Sequence, residues 1–101
     1  MTSAVNSKQI SYLRGLAHSL NPVVMISNKG LSESVLKEIN VSLDAHELIK
    51  IKVMGDDRVL RAQLLTDICE QTNSIAVHHI GKQLVIYRQS STKPKIVVPQ
   101  K

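Results

Sequence analysis

The sequence predicts one mixed α/β domain, a four-stranded mixed sheet covered by helices, and three observations carry that expectation. The chain has 101 residues, 43% of them hydrophobic and 21% charged, which suits one hydrophobic core and lies away from the composition of disordered chains. Its apolar residues change between helical and strand periods in the order helix, strand, helix, strand, helix, strand, strand. Two strand-helix-strand crossovers and one closing hairpin then imply both parallel and antiparallel neighbours in one sheet.

Ser7 is placed to cap the first helix, in which Ile10, Leu13, Ala17 and Leu20 share a face, and which runs to about Ser19 before Asn21-Pro22 stops it. Val23 to Ile26 is an all-apolar run bounded by turn residues and reads as a strand buried on both sides in a parallel pairing. After the loop Ser27-Asn28-Lys29-Gly30, a second helical stripe comprises Leu31, Val35, Leu36, Ile39 and Leu43, with Glu33 suited to the positive end of the helix dipole. From Glu47 the period becomes two: Ile49, Ile51 and Val53 alternate with Lys50 and Lys52, so one face is expected to be buried and the other open. Gly55-Asp56-Asp57 breaks the strand and supplies a helix cap, and Leu60, Leu64, Leu65, Ile68 and Cys69 form a third stripe ending near Asn73. Ile75 to Ile80 and Gln83 to Arg88 are strands joined at Gly81-Lys82, with glycine where a tight hairpin turn needs positive φ. The expected divisions are a flexible N-terminus over residues 1–6, the domain over 7–88, and a basic tail over 89–101 that either docks Ile96 to Val98 or stays mobile.

The net charge is +5, and its distribution is uneven. All eight acidic residues fall between Glu33 and Glu70, whereas residues 1–32 contain Lys8, Arg14 and Lys29, and residues 71–101 contain Lys82, Arg88, Lys93, Lys95 and Lys101. If the fold brings the two ends together, one face is cationic, which is the electrostatic footprint of a nucleic-acid binder. The single cysteine, the lack of an apolar signal-peptide core and the lack of any apolar run of transmembrane length point to a reducing cytosol.

Catalytic chemistry finds little support. Asp56 and Asp57 stand where a helix needs its cap, His78 and His79 point to opposite faces of a strand, and Cys69 lies on the apolar side of its helix. His18 and His46 each lie near a helix end, where an imidazole satisfies exposed carbonyls. No glycine-rich nucleotide loop, zinc spacing or acidic metal cluster occurs, so neither a metal nor a cofactor nor a small-molecule substrate is expected. The loop Ser27-Asn28-Lys29-Gly30 is the better candidate. It joins a strand to a helix whose unpaired amides favour a phosphate; Lys29 adds a full charge, Asn28 offers hydrogen bonds to phosphate or ribose, and Gly30 permits close backbone approach. Tyr12 and Tyr87 are the only aromatic residues, too few for a base-stacking platform, so contacts led by backbone and shape suit the chain better.

Several blocks together resemble a known family. Lys8-Gln9-Ile10, Leu13-Arg14-Gly15-Leu16-Ala17-His18, Pro22-Val23-Val24, Gly30-Leu31-Ser32-Glu33-Ser34-Val35, His46-Glu47-Leu48-Ile49-Lys50 and Ile80-Gly81-Lys82-Gln83-Leu84-Val85-Ile86-Tyr87-Arg88 look like a stand-alone bacterial CRM domain of the YhbY type, over about residues 7–98. The resemblance implies a fold like the C-terminal domain of translation initiation factor three. It also implies binding to structured ribosomal RNA and a part in assembly of the large ribosomal subunit. Family members carry a KH-like GxxG loop between the first strand and the second helix, which here is Ser27, Asn28, Lys29 and Gly30. Serine replaces the first glycine: its hydroxyl still reaches a phosphate, but it does not favour positive φ. The expected RNA contacts are Lys8, Arg14, Ser27, Asn28, Lys29 and Gly30, with Tyr12, Arg58, Arg61, Lys82 and Arg88 as additional ones. The alternative is a protein-interaction module that docks on a ribosomal protein or assembly factor and uses its positive charge for steering.

Overall fold

The periodicities resolve into α1 (Ser7–Ala17), β1 (Val24–Ile26), α2 (Glu33–His46), β2 (Leu48–Val53), α3 (Arg58–Thr72), β3 (Ile75–Ile80) and β4 (Gln83–Tyr87). These come from a computed structural model that describes residues 7–27 and 30–89; Asn28, Lys29, the first six residues and the 90–101 segment, with the expected docking of Ile96 to Val98, lie outside the described residues. The sheet order is β1-β2-β4-β3. β1 and β2 run parallel, as the crossover through α2 requires, and the other two pairings are antiparallel.

Local chemistry sets the helix ends. Ser32 caps α2, its hydroxyl accepting from the Val35 amide at 3.3 Å, with Glu33 in the first turn. Asp57 caps α3 by accepting from the Leu60 amide at 3.0 Å, and Asn73 ends that helix in the left-handed conformation. Gly81 turns the β3–β4 hairpin at φ +55°, as the sequence predicts. α1 ends at Ala17 rather than Ser19: the Leu20 amide donates to the Ala17 carbonyl in a turn, because Pro22 bars helical geometry at the residue before it.

The two faces of the sheet are covered unequally. Val24, Ile26, Ile39, Leu43, Ile49, Ile51, Val53, Leu64, Ile68, Leu84 and Ile86 form the core under α2 and α3. Leu13, Ala17, Leu48, Val77, Val85 and Tyr87 form a smaller core under α1. Three expectations need correction here. β1 is buried on one face only, with Met25 62% exposed, because β1 is an edge strand and its second face lies beyond the cover of α1. The face of β2 expected to be open is largely closed: α1 packs on it and Lys50 is only 8% exposed. In α3, Leu60 is exposed and Arg61 is buried in its stead, its guanidinium taken up by the Gly55 carbonyl and His79. Glu47 joins α2 to β2 fully buried at φ +67°, its amide donating to Leu43 and its carbonyl accepting from the Arg88 amide.

Candidate nucleic-acid interface

The loop after β1 is anchored at both ends by the fold. The Met54 amide donates to the Ile26 carbonyl at 2.8 Å, and the Gly30 amide donates to the Ser27 carbonyl at 3.0 Å, closing a turn that delivers the chain to the α2 cap. Gly30 has φ +83°, a conformation that favours glycine, and a Cβ there would meet nothing within 4 Å. Backbone geometry, not crowding inside the protein, therefore calls for glycine at this position. Ser27 is exposed and is not among the described residues with positive φ, so serine occupies the first loop position without backbone strain. Asn28 and Lys29, the remaining loop candidates, lie outside the described residues. Beside the loop, a recess of about 280 Å³ is lined by Ser27 and Gly30, by the Met54 to Asp57 turn, and by Leu60 and Arg61 of α3.

The other candidate cations divide by what they touch. Lys8 and Tyr12 are exposed on α1, and the exposed Arg14 donates through Nε to the Val77 carbonyl of β3 at 2.9 Å. Arg58 opens α3 and is exposed. Arg61 is 7% exposed: Nη1 donates to the Gly55 carbonyl at 3.1 Å and Nε to His79 Nε2 at 3.4 Å. Lys82 Nζ lies 2.9 Å from Asp56 Oδ1, and this bond with the ammonium charge holds the Asp56 carboxyl below its usual range. Arg88 is taken up by the fold, donating to Asn40 Oδ1 at 2.8 Å, the Thr72 carbonyl at 2.7 Å and Asp44 Oδ1 at 2.9 Å. The structure thus gathers the loop, the first turn of α3 and the hairpin at one end of the sheet, and gives Arg61 and Arg88 internal partners.

His78 and His79 of β3 lie where the sequence expects them. They do point to opposite faces of β3, and both are half-buried beside arginines. Cys69 is a free thiol pushed up by burial. Among the described residues, no group of three or more His, Cys, Asp or Glu is placed to hold a metal ion, and no helix is long and apolar enough to cross a membrane.

Residues 5–88 match the family model of the CRS1/YhbY (CRM) domain. The chain belongs to that family. It is similar to a Haemophilus influenzae protein named an RNA-binding protein, with 46% identity over 98% of this chain and 99% of that one. A Pseudomonas aeruginosa protein named a probable RNA-binding protein is 37% identical over 86% of this chain and 84% of its own. The solution structure of a Staphylococcus aureus protein superposes with a TM-score of 0.84 at 35% identity, covering 95% of this chain and all of that one. The fold is therefore that of its solved relative, a compact α/β domain with three helices and a four-stranded mixed sheet.

Proposed function

We propose that this CRM domain binds structured ribosomal RNA, acts in assembly of the large ribosomal subunit without catalysing a reaction, and uses the 27–30 loop as its primary contact. The observation that carries the reading is the loop itself. It presents a glycine at φ +83° with open space where a side chain would stand, immediately before the capped N-terminus of α2. A phosphate placed there meets unpaired helix amides and the positive end of the dipole, and the sequence adds Lys29 at the same point. The names of the relatives support RNA as the polyanion. Lys8 and Arg14 extend the cationic surface from α1, Ser27 and Asn28 supply hydrogen bonds, and Arg58 and Lys82 contribute long-range attraction. Folded RNA suits a chain with two aromatic residues, since such a ligand is held through backbone and shape rather than stacking.

Fluorescence anisotropy against a protein-free large-subunit RNA fragment, with small-subunit RNA and duplex DNA as competitors, tests this. Selective binding that survives near-physiological salt is expected. Weak, equal binding to all three that vanishes with salt would leave charge as steering only and favour docking on a protein. Lys29→Glu is expected to weaken binding by about tenfold, more than the loss of one screened charge. A folded variant within twofold of the parent would remove the loop from the mechanism.

A further inference from the structure

β3 ends the sheet on the side away from β1, and its outer edge has no strand partner among the described residues. That edge is poorly suited to receive another strand. The register shifts between Ala76 and His78, and the Val77 carbonyl is already occupied by Arg14 Nε. Its surroundings are cationic or protonatable on both faces. Arg14 of α1 and His18, just past its end, lie near enough to His78 to act on its charge; Arg58 and Arg61 of α3 do the same at His79, with Arg61 Nε 3.4 Å from its Nε2. β4 places only Val85 and Leu84 opposite the two histidines. Asp56, which lies toward Arg61, is paired with Lys82 of the hairpin.

We infer that the β3 edge is a second contact for RNA phosphates, separate from the 27–30 loop, at which His78 and His79 act together with Arg14 and Arg58. The inference rests on the RNA-binding reading above and extends it to a site and a proton linkage. Because the two imidazoles point to opposite faces, one small anion cannot bridge them, whereas successive phosphates of a strand crossing the edge reach both. Without such an anion the cluster repels itself. Burial, then Arg14, His79 and His18, hold His78 below the usual histidine range; burial, then Arg58 and Arg61, do the same to His79, against a smaller opposing effect of the Gly81 backbone. The Arg61 Nε–H bond also requires His79 Nε2 as an acceptor, which only the neutral ring provides. A phosphate reverses the local field, favours the imidazolium and gains charge-assisted hydrogen bonds from it. RNA binding at this edge therefore takes up protons, and affinity rises as pH falls through the histidine range.

The test uses the whole chain and a protein-free transcript of a large-subunit ribosomal RNA fragment, titrated by anisotropy at pH 8.0 and pH 6.0 and constant ionic strength. Full linkage to one proton is worth about tenfold per pH unit, so the parent is expected to bind roughly three- to tenfold more tightly at pH 6.0. His78→Gln with His79→Gln should flatten that dependence, while His46→Gln, at the end of α2, should keep it. Imidazole NMR titration gives a second readout: RNA should raise the pKa values of His78 and His79. Parent binding that tightens with acid equally in the double variant, or imidazole pKa values unmoved by RNA, overturns the edge site and leaves the loop reading standing. Absence of parent binding at both pH values overturns the RNA reading and this inference together.

Discussion

Arg88 stands just past the end of β4, and its guanidinium reaches Asn40 and Asp44 of α2 and the Thr72 carbonyl at the end of α3. Charge-assisted bonds of this kind, whose acceptors would be stranded on truncation, predict that Arg88→Ala costs about 2–3 kcal/mol in denaturant unfolding. The folded fraction should keep its RNA affinity; a stable variant that no longer binds would make Arg88 a contact and not a tie. Gly30 gives the converse case. Gly30→Ala places a Cβ in open space at φ +83°, so the fold should lose only about 1–2 kcal/mol to backbone strain. RNA affinity should fall several-fold beyond that, because a phosphate lying against the backbone meets the methyl group; unchanged affinity would separate the glycine from the contact. Sequence could show that Gly30 and Lys29 share a loop, but not that Arg61 and Arg88 are occupied. Charge is written in a residue's type, whereas its partners are decided by carbonyls at Gly55 and Thr72 that only the assembled chain brings near.

Among the elements, α3 has an N-terminal turn at odds with its own dipole. Arg58 and Arg61 occupy that turn and no acid lies within it, the Asp57 cap standing just ahead, while Asp67 and Glu70 sit toward the far end. Arg58→Glu is expected to stabilise the protein by about 0.3–1 kcal/mol, read as a raised melting temperature, and to weaken RNA binding at the same time. A gain in stability with undiminished affinity would mean that Arg58 contributes nothing to the interface. All seven elements, their order and the Asp57 and Gly81 signals at their ends follow from local spacing and turn chemistry, which is why sequence shows them. The Ser32 cap and the positive-φ Glu47 that ends the same helix carry no such plain signal, the apolar stripe already beginning at Leu31. The exposure of Met25 and the burial of Lys50 were not legible, since both depend on which strand falls at the sheet edge and which lies beneath α1.

For the molecule as a whole, the sheet converts a charge gradient along the chain into a difference between its two layers. α1 carries Lys8 and Arg14 with no acid, whereas α2, on the opposite face, carries Glu33, Glu38 and Asp44 against Lys37 alone. If the chain binds RNA as proposed, this charge difference favours approach at α1, the β3 edge and the loop end over the α2 face. That α1 and β3 form one connected cationic surface was beyond the sequence, because Arg14 and Val77 meet only when α1 crosses β3. The unequal covering of the sheet has a dynamic consequence. α1 is held by the smaller core, with Leu13 and Ala17 as its buried residues, while α2 and α3 share the larger one. Its amides should consequently exchange with deuterium by a local opening well below the free energy of global unfolding, ahead of those in β2 and β4. Bound RNA that grips α1 and β3 together through Arg14 should close that opening and slow the exchange of α1 more than that of α2. Equal slowing across the chain would instead report general stabilisation by the ligand.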